Sequence, residues 1–157
     1  MQEIFSNTTL TVNQLIEQID TGALGLPELQ RPFIWKDAKV RDLFDSMMRG
    51  YPIGYLMLWE CPTLDKSIHI GVEAHSYASP KEVIIDGQQR LTTLSILFAV
   101  LADTFDNEDY KVDCKKYLQE KGNVLEGIEA QPRLFLKEKD QPFFHKYIQN
   151  IQLDALG

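Results

Sequence analysis

The stretch Val83-Ile84-Ile85-Asp86-Gly87-Gln88-Gln89-Arg90-Leu91 holds the change of pattern on which the fold depends. It begins with three apolar β-branched residues, which favour a buried strand. After Arg90, apolar residues recur at three- and four-residue spacing and predict an amphipathic helix; they are Leu91, Leu94, Leu97, Phe98, Leu101 and Phe105. We therefore expect a strand, Lys81 to Ile85, that passes into a helix through a short polar turn.

Further helices are predicted on both sides of this junction. Val12 to Ile19 has helical spacing, with Thr9 or Thr11 available as N-cap. A second helix runs from about Asp37 to Arg49 and ends at Gly50. A last helix is capped by Asp140 and carries Pro142 in its first turn; its predicted buried residues are Phe143, Phe144, Tyr147 and Ile148.

Extended segments complete the pattern. The continuous apolar run Ile53 to Trp59 predicts a strand that is covered on both faces, and the methionines Met47, Met48 and Met57 are interpreted as core filling. Shorter extended segments are expected at Leu24 to Gln30 and Arg133 to Lys137, and the polar residues 106–131 are expected to form a variable excursion. Because helices and strands alternate, we expect one mixed α/β domain over residues 1–157, with a small sheet flanked by helices.

Composition narrows the classes of function. The chain has 16 basic and 23 acidic residues, and its net charge of −7 argues against non-specific coating of DNA, which needs a basic face. The two cysteines and three histidines lack the paired spacing of structural zinc ligands, and reduced thiols fit an intracellular protein. No signal-peptide pattern is present, and the longest apolar run is too short to cross a bilayer. We expect a soluble cytoplasmic protein without a membrane partner.

The polar turn of the junction carries side chains that suit phosphate chemistry. Free backbone N–H groups and the dipole at a helix N-terminus attract anions, and Gly87 permits close approach or a positive φ. Arg90 stands in the first turn, where the dipole disfavours a cation unless an anion faces it. Asp86 could hold Mg²⁺ together with phosphate oxygens, and Gln88 or Gln89 could orient a water. Simple capping by Asp86, a turn at Gly87 and a salt bridge of Arg90 form an equally good interpretation from spacing alone.

A second polar element precedes the second helix. Pro32 keeps Gln30-Arg31 extended, and an arginine followed by Phe33 and Trp35 could present a cation and a stacking ring to a nucleotide. The alternative is that the two aromatic residues are core anchors and that Arg31 pairs with an acidic neighbour. No GxxxxGK[ST] loop and no GxSxG elbow is present in the sequence.

Three blocks together resemble a known family. LPELQRPFIWKDAKVRDLFDSMMRGYPIGYLMLWE (26–60), VIIDGQQRLTTLSIL (83–97) and RLFLKEKDQPFFHKYI (133–148) are similar, in this order, to the N-terminal domain of GmrSD-type (type IV) restriction proteins and their phage-defence relatives. The resemblance implies a core like the ParB/sulfiredoxin fold and a chain that is the N-terminal part of a longer protein. Phe33 stands where the family more often has tyrosine, which puts a hydroxyl contact in doubt.

The resemblance also implies a function. It assigns nucleoside triphosphate binding and Mg²⁺-dependent hydrolysis to Asp86, Gly87, Gln88, Gln89 and Arg90, with Gln30 and Arg31 as an upstream phosphate-binding element. The nuclease of such systems resides in a C-terminal or partner domain, so nuclease activity is not expected from this chain, and DNA is expected to bind through the full-length protein. Alternatives are a ParB-like nuclease that acts directly on DNA and a non-catalytic sensor of DNA modification; homo-oligomerisation stays open.

Overall fold

The computed structural model describes residues 6–21, 23–25, 32–60, 81–120, 122, 125, 127 and 130–156. Its helices are α1 (Val12–Asp20), α2 (Asp37–Met48), α3 (Gln88–Thr104), α4 (Glu108–Lys116) and α5 (Gln141–Phe143). Its strands are β1 (Leu24–Gly25), β2 (Met57–Glu60), β3 (Glu82–Asp86), β4 (Gln119–Glu120) and β5 (Gln131–Pro132). This combination of helices with short strands confirms the expected mixed α/β class.

The middle strand of the main sheet is β3, and the three strands lie in the order β1-β3-β2. β1 runs parallel to β3, and β2 runs antiparallel to it with Trp59 opposite Val83. The register shifts between Met57 and Leu58, so that Ile85 is an extra residue in β3. A bulge of this kind bends a strand and changes the direction of the neighbouring side chains. Here it lies directly before the polar turn.

The core joins α1, the sheet, α3 and the C-terminal helical segment. Its buried cluster consists of Leu15, Ile19, Leu24, Ile84, Leu91, Ala99, Leu118, Leu134, Phe144 and Ile148. Residues 91–94 of α3 are all buried, although a one-sided apolar stripe is the pattern that the sequence predicts. The two threonines among them can be buried because Thr92 and Thr93 donate their hydroxyls to the carbonyls of Gln88 and Gln89, at 3.0 and 2.8 Å. The first turns of α3 are therefore enclosed and firmly placed.

The prediction of a covered strand from Ile53 to Trp59 is wrong in two respects. The strand comprises only Met57–Glu60, and Gly54 upstream has a φ of 113°, which no extended strand residue adopts. Met57 and Trp59 are also 54% and 63% exposed. The interpretation of the methionines as core filling fails for Met57 and for Met48, which is 72% exposed. The apolar side chains of this segment are therefore not a sign of burial. The segment contacts Arg90 of α3 through the backbone of Gly54 and Tyr55 instead.

The first two helices confirm their predicted ends. Thr11 is the N-cap of α1, and its hydroxyl accepts the Gln14 N–H while the Gln14 side chain accepts the Thr11 N–H. α2 ends at Met48, and Gly50 follows with a φ of 70°, as expected for a residue that terminates a helix. Only Leu43 of α2 is buried, so this helix lies largely on the surface.

α4 lies in the stretch 106–131, where the sequence shows no helical periodicity. The helix is stabilised by its ends: the Asn107 side chain accepts two backbone N–H groups, and the first turn is acidic while the last is basic. Lys111 donates to Glu108 at 2.9 Å, which raises the pKa of Lys111 and lowers that of Glu108. Capping, charged ends and packing against α3 account for this helix without an apolar stripe.

The strand expected at Arg133 to Lys137 is displaced toward the N-terminus. β5 is Gln131–Pro132, which pairs antiparallel with β4, and residues 134–137 have no regular structure. The physical reason is that Leu134 is held as a core residue while its carbonyl accepts from the Gln149 side chain at 2.6 Å, in place of a neighbouring strand.

The final helix begins after Asp140 as predicted, with Pro142 in its first turn. Asp140 makes no side-chain cap bond, and α5 continues into a π-helical segment, Phe144–Gln149. Phe144 and Ile148 are buried as expected, whereas Phe143 is 55% exposed. The wider π-helical spacing turns Gln149 inward, where its amide bonds the backbone of Leu134.

Candidate functional site at the start of α3

The junction between β3 and α3 is built on Gly87. Its φ of 114° is open to glycine and costly for other residues, and a Cβ at this position would overlap the Leu56 side chain. Gly87, not Asp86, is the N-cap residue of α3, and it has no side chain with which to cap. The alternative interpretation of Asp86 as an ordinary N-cap is therefore wrong.

Within the described part of the chain, no side chain caps the N-terminal N–H groups of α3. The first intrahelical bond is donated by Leu91 N–H to Gly87 O at 3.0 Å, so the N–H groups of Gln88, Gln89 and Arg90 precede the helical ladder. No acidic residue lies in this first turn, and no side-chain cap bond is made. The positive end of the helix dipole is therefore not neutralised by an acidic side chain of this first turn.

Arg90 lies in this first turn and is held by three contacts. Its Nη1 donates to the Tyr55 carbonyl at 2.5 Å, and its Cζ lies 5.7 Å from the centre of the Trp35 ring, within the range of a cation–π contact. The guanidinium packs against Gly54, where an added Cβ would come within 2.5 Å of Nη2. Its Nε is buried without a hydrogen-bond partner among the described residues. The salt bridge proposed for Arg90 as an alternative is not formed within the described part of the chain.

Gln89 connects the same turn to the segment before α2. Its Oε1 accepts the N–H groups of Ile34 and Trp35 at 2.7 and 3.2 Å, and its Nε2 donates to Pro32 O at 2.8 Å. Trp35 is partly buried by this arrangement, and Lys39 approaches its ring at 5.6 Å. Phe33 is 38% exposed, so the interpretation of both aromatic residues as core anchors holds for neither in full.

Gln88 and Asp86 complete the group of predicted site residues. The Oε1 of Gln88 is buried and has no hydrogen-bond partner within the described residues. Asp86 ends β3 and is exposed to solvent. The described residues contain no group of three His, Cys, Asp or Glu that could hold a metal ion, and Asp86 could contribute one carboxylate to a Mg²⁺ site that phosphate oxygens complete. Such a site, with one carboxylate and several phosphate or water ligands, fits Mg²⁺ chemistry.

The upstream pair Gln30 and Arg31 lies outside the described residues, so their predicted phosphate contacts stay predictions. The described part of the chain places Asp86, Gly87, Gln88, Gln89 and Arg90 at one junction, as their contiguity requires. The contacts of Arg90 with Gly54 and with the Tyr55 carbonyl were not predicted from the sequence. A signal was present, because an isolated glycine inside an apolar run indicates a bulge or a close backbone approach.

Residues 12–156 match the family described as the N-terminal domain of the GmrSD restriction endonuclease. The chain belongs to this family. A GmrSD-type N-terminal domain is a component of restriction systems, and the match covers the α3 junction and both segments that hold it.

One relative of this GmrSD N-terminal domain is an uncharacterized protein of Methanocaldococcus jannaschii, 27% identical over 108 residues. The match covers 64% of the chain and 18% of that relative's length, so the chain spans less than a fifth of it. No solved structure matches the chain. Among the helices that the structure describes, none combines the length and the hydrophobicity required to cross a membrane.

Proposed function

We propose that this chain binds a nucleoside triphosphate at the first turn of α3 and hydrolyses it, and that this turnover controls a nuclease that cleaves modified DNA. The observation that carries the proposal is Arg90, held in place beside the uncapped N–H groups of α3. The nuclease and its DNA belong to the restriction system of the family, and this part of the proposal rests on family membership.

The electrostatics of the turn support an anionic ligand. An arginine in the first turn of a helix is repelled by the dipole, and its burial against Gly54 and Trp35 adds a cost of desolvation. A bound phosphate would offset both effects, because it accepts from the backbone N–H groups and from the guanidinium at once. With Nη1 donating to Tyr55, the buried Nε, which has no hydrogen-bond partner among the described residues, is a donor that such a ligand could use.

Each residue of the junction has a separate role in phosphate binding or hydrolysis. The N–H groups of Gln88 and Gln89 and the guanidinium of Arg90 hold the phosphates. Gln88, whose Oε1 is buried without a partner among the described residues, orients the attacking water. Asp86 would hold Mg²⁺ together with phosphate oxygens or would position the water, and the ion would neutralise charge on the phosphates. Gln30 and Arg31 supply donors from the upstream segment.

Phosphate release from GTP, UTP, CTP and ATP, measured with Mg²⁺ for the wild type, Asp86→Ala and Arg90→Ala, tests the proposal. We expect each substitution to lower kcat/KM for the preferred nucleotide by about a hundredfold or more, as for the loss of a preorganised charge-stabilising group. Arg41→Ala is the matched control, because Arg41 is an exposed arginine of α2 with 76% of its side chain accessible.

Three outcomes separate the alternatives. Equal phosphate release by the wild type and both variants contradicts the assignment of the site. Nucleotide binding by calorimetry without phosphate release favours the non-catalytic sensor. Mg²⁺-dependent cleavage of DNA by this chain, unchanged in Arg90→Ala, favours the ParB-like nuclease instead.

A further inference from the structure

The hydrogen bonds of Gln89 leave it no free acceptor. An amide oxygen has two lone pairs, and the N–H groups of Ile34 and Trp35 occupy both. The orientation of the amide follows from its partners, because a flipped amide would place NH₂ against two N–H donors and oxygen against the Pro32 carbonyl. Gln89 therefore cannot accept a hydrogen bond from an attacking water while these contacts persist.

The neighbouring Gln88 has the opposite status. Its Oε1 is buried and has no partner among the described residues, so it is available to a ligand. The two adjacent glutamines thus differ: the Oε1 of Gln88 has no partner among the described residues, whereas the Oε1 of Gln89 accepts two backbone N–H groups. The contacts of Gln89 join residues that are 54 to 57 positions apart in the chain. Their effect is to fix a distant segment against the first turn of α3.

The segment Pro32–Trp35, which Gln89 binds, includes the Trp35 ring that contacts the Arg90 guanidinium. Gln89 binds the backbone of Trp35 itself, and the indole of that residue lies 5.7 Å from the Arg90 guanidinium carbon. Gly54 and the Tyr55 carbonyl meet the same guanidinium. If the Pro32–Trp35 segment moved away, the guanidinium would lose its aromatic support and gain rotational freedom.

We propose that Gln89 is a positioning residue that fastens Pro32–Trp35 to α3 and thereby fixes Arg90 for phosphate. The placement of Trp35 and Arg90 stands on the contacts above, and the link to phosphate rests on the proposed function. Gln89 does not orient the nucleophile. Its loss weakens binding of the triphosphate more than it slows the chemical step.

Trp35 provides a direct measurement of this positioning. The chain has two tryptophans, so Trp59→Phe leaves Trp35 as the single one. In this background, Gln89→Met keeps the length of the side chain and removes all three hydrogen bonds. We expect a red-shifted emission and stronger quenching by acrylamide for Gln89→Met, measured without nucleotide. Gln89→Glu keeps an oxygen that can accept from Ile34 and Trp35 and loses the donor to Pro32. Quenching of Trp35 in this variant should therefore fall between that of the Trp59→Phe parent and that of Gln89→Met.

Gln119→Met is the matched control. The Gln119 amide donates to the Gln149 backbone at 2.9 Å, so the variant loses a comparable side-chain bond to the backbone at a distance from α3's first turn. It should leave the emission of Trp35 unchanged. Thermal unfolding of each variant confirms that it is folded under the conditions of measurement, and Gln89→Glu decides the question if Gln89→Met does not fold.

Steady-state kinetics distinguish positioning from catalysis. We expect Gln89→Met to raise KM for the nucleotide about tenfold and to change kcat less than about threefold, the scale of lost hydrogen bonds that act on binding. A lowered kcat with an unchanged KM would overturn the proposal. Unchanged quenching of Trp35 in both Gln89 variants would overturn it as well. The quenching needs no nucleotide, so it decides the positioning role even if the wild type releases no phosphate and the proposed function fails.

Discussion

Arg90 illustrates how a residue can occupy a position that local physics disfavours. The dipole of α3 opposes a cation in the first turn, yet the Tyr55 carbonyl, the Trp35 ring and the space above Gly54 together retain it. Each of these three partners comes from a segment far from Arg90 in the chain. Strain of this kind, supported from several sides, is typical of functional sites.

Cys114, unlike Arg90, is a buried group whose surroundings favour its neutral form. It is 8% exposed on α4, and burial, followed by the nearby Asp113 carboxylate, raises the pKa of its thiol. In a Cys61→Ser background we expect folded protein to react with a thiol reagent at pH 8 at least about tenfold more slowly than protein unfolded in guanidinium chloride. Equal rates would show that α4 opens readily or that the thiol is accessible.

The same raised pKa sets a pH dependence of stability. The unfolded thiol ionises first as pH rises, so the contribution of Cys114 is fully present below the ordinary thiol pKa and is lost as pH passes the folded-state value. In the same background, a Cys114→Ala variant lacks this loss. The difference in the free energy of unfolding between the two proteins should therefore shift between pH 7 and pH 10 in favour of Cys114→Ala.

At the scale of elements, the first turn of α3 holds both segments that flank α2. Gln89 binds residues 32–35 before this helix, and Arg90 binds residues 54–55 after it. Because α2 itself buries only Leu43, these two attachments are what join it to the rest of the described chain near the junction. Residues 51–56 do not form a strand. Gly54 and Tyr55 of this segment contact Arg90 instead.

Gly54→Ala tests the shape of this segment. A Cβ at residue 54 would lie 2.5 Å from Nη2 of Arg90, and a φ of 113° strains any residue other than glycine. We expect the displaced guanidinium to weaken nucleotide binding about tenfold or more, because a charged contact of this type contributes about 1.5–3 kcal/mol. Calorimetric titration with a non-hydrolysable triphosphate measures the change.

Gly50→Ala is the control for backbone strain. Gly50 also has a positive φ, of 70°, but a Cβ there would meet nothing within 4 Å. It should lower stability by about 1 kcal/mol and leave nucleotide affinity unchanged. Equal loss of affinity in the two variants would contradict a specific role of the contact between Gly54 and Arg90.

At the scale of the whole molecule, Arg133 ties distant parts of the chain together. Its side chain is 7% exposed and forms an ion pair with Asp20 at the end of α1, while its Nε donates to Lys116 O at 2.7 Å at the end of α4. A second carboxylate, that of Glu120 in β4, lies 4.0 Å away. Arg133 stabilises the native arrangement by joining the ends of α1 and α4, although the Asp20 side chain is 46% exposed and can be solvated without it.

Arg133→Met should therefore destabilise the chain by about 1–2 kcal/mol, because it removes the bond to the Lys116 carbonyl while the half-exposed Asp20 carboxylate is solvated by water. Urea denaturation, followed by circular dichroism, measures the free energy of unfolding. Arg41→Met removes an exposed arginine and should change it by less than about 0.5 kcal/mol. A similar small change for both variants would show that the ion pair of Arg133 with Asp20 contributes little.

Much of the local structure was predictable because it depends on neighbours in the chain. Three predicted features depend on short-range chemistry: the N-cap of α1, for which Thr9 or Thr11 was expected and Thr11 is observed, the end of α2 before Gly50, and the start of the last helix after Asp140. The junction from Asp86 to Arg90 was predictable for the same reason. α4 was missed because Cys114 is its only buried residue, so that its sequence carries no apolar stripe.

The sequence by itself determined the mixed α/β class, the resemblance to the GmrSD N-terminal domain and the contiguous group Asp86–Arg90, since all three are written in local pattern and motif order. The tertiary structure alone shows that Gln89 is hydrogen-bonded to a distant segment while the Oε1 of Gln88 has no partner among the described residues. It also shows that the backbone of Gly54 and Tyr55 contacts Arg90. The physical reason is that a side-chain amide or a carbonyl is chemically the same wherever it occurs. Its role depends on partners that folding brings together from more than 30 positions away, as the 35-residue separation of Arg90 and Tyr55 shows.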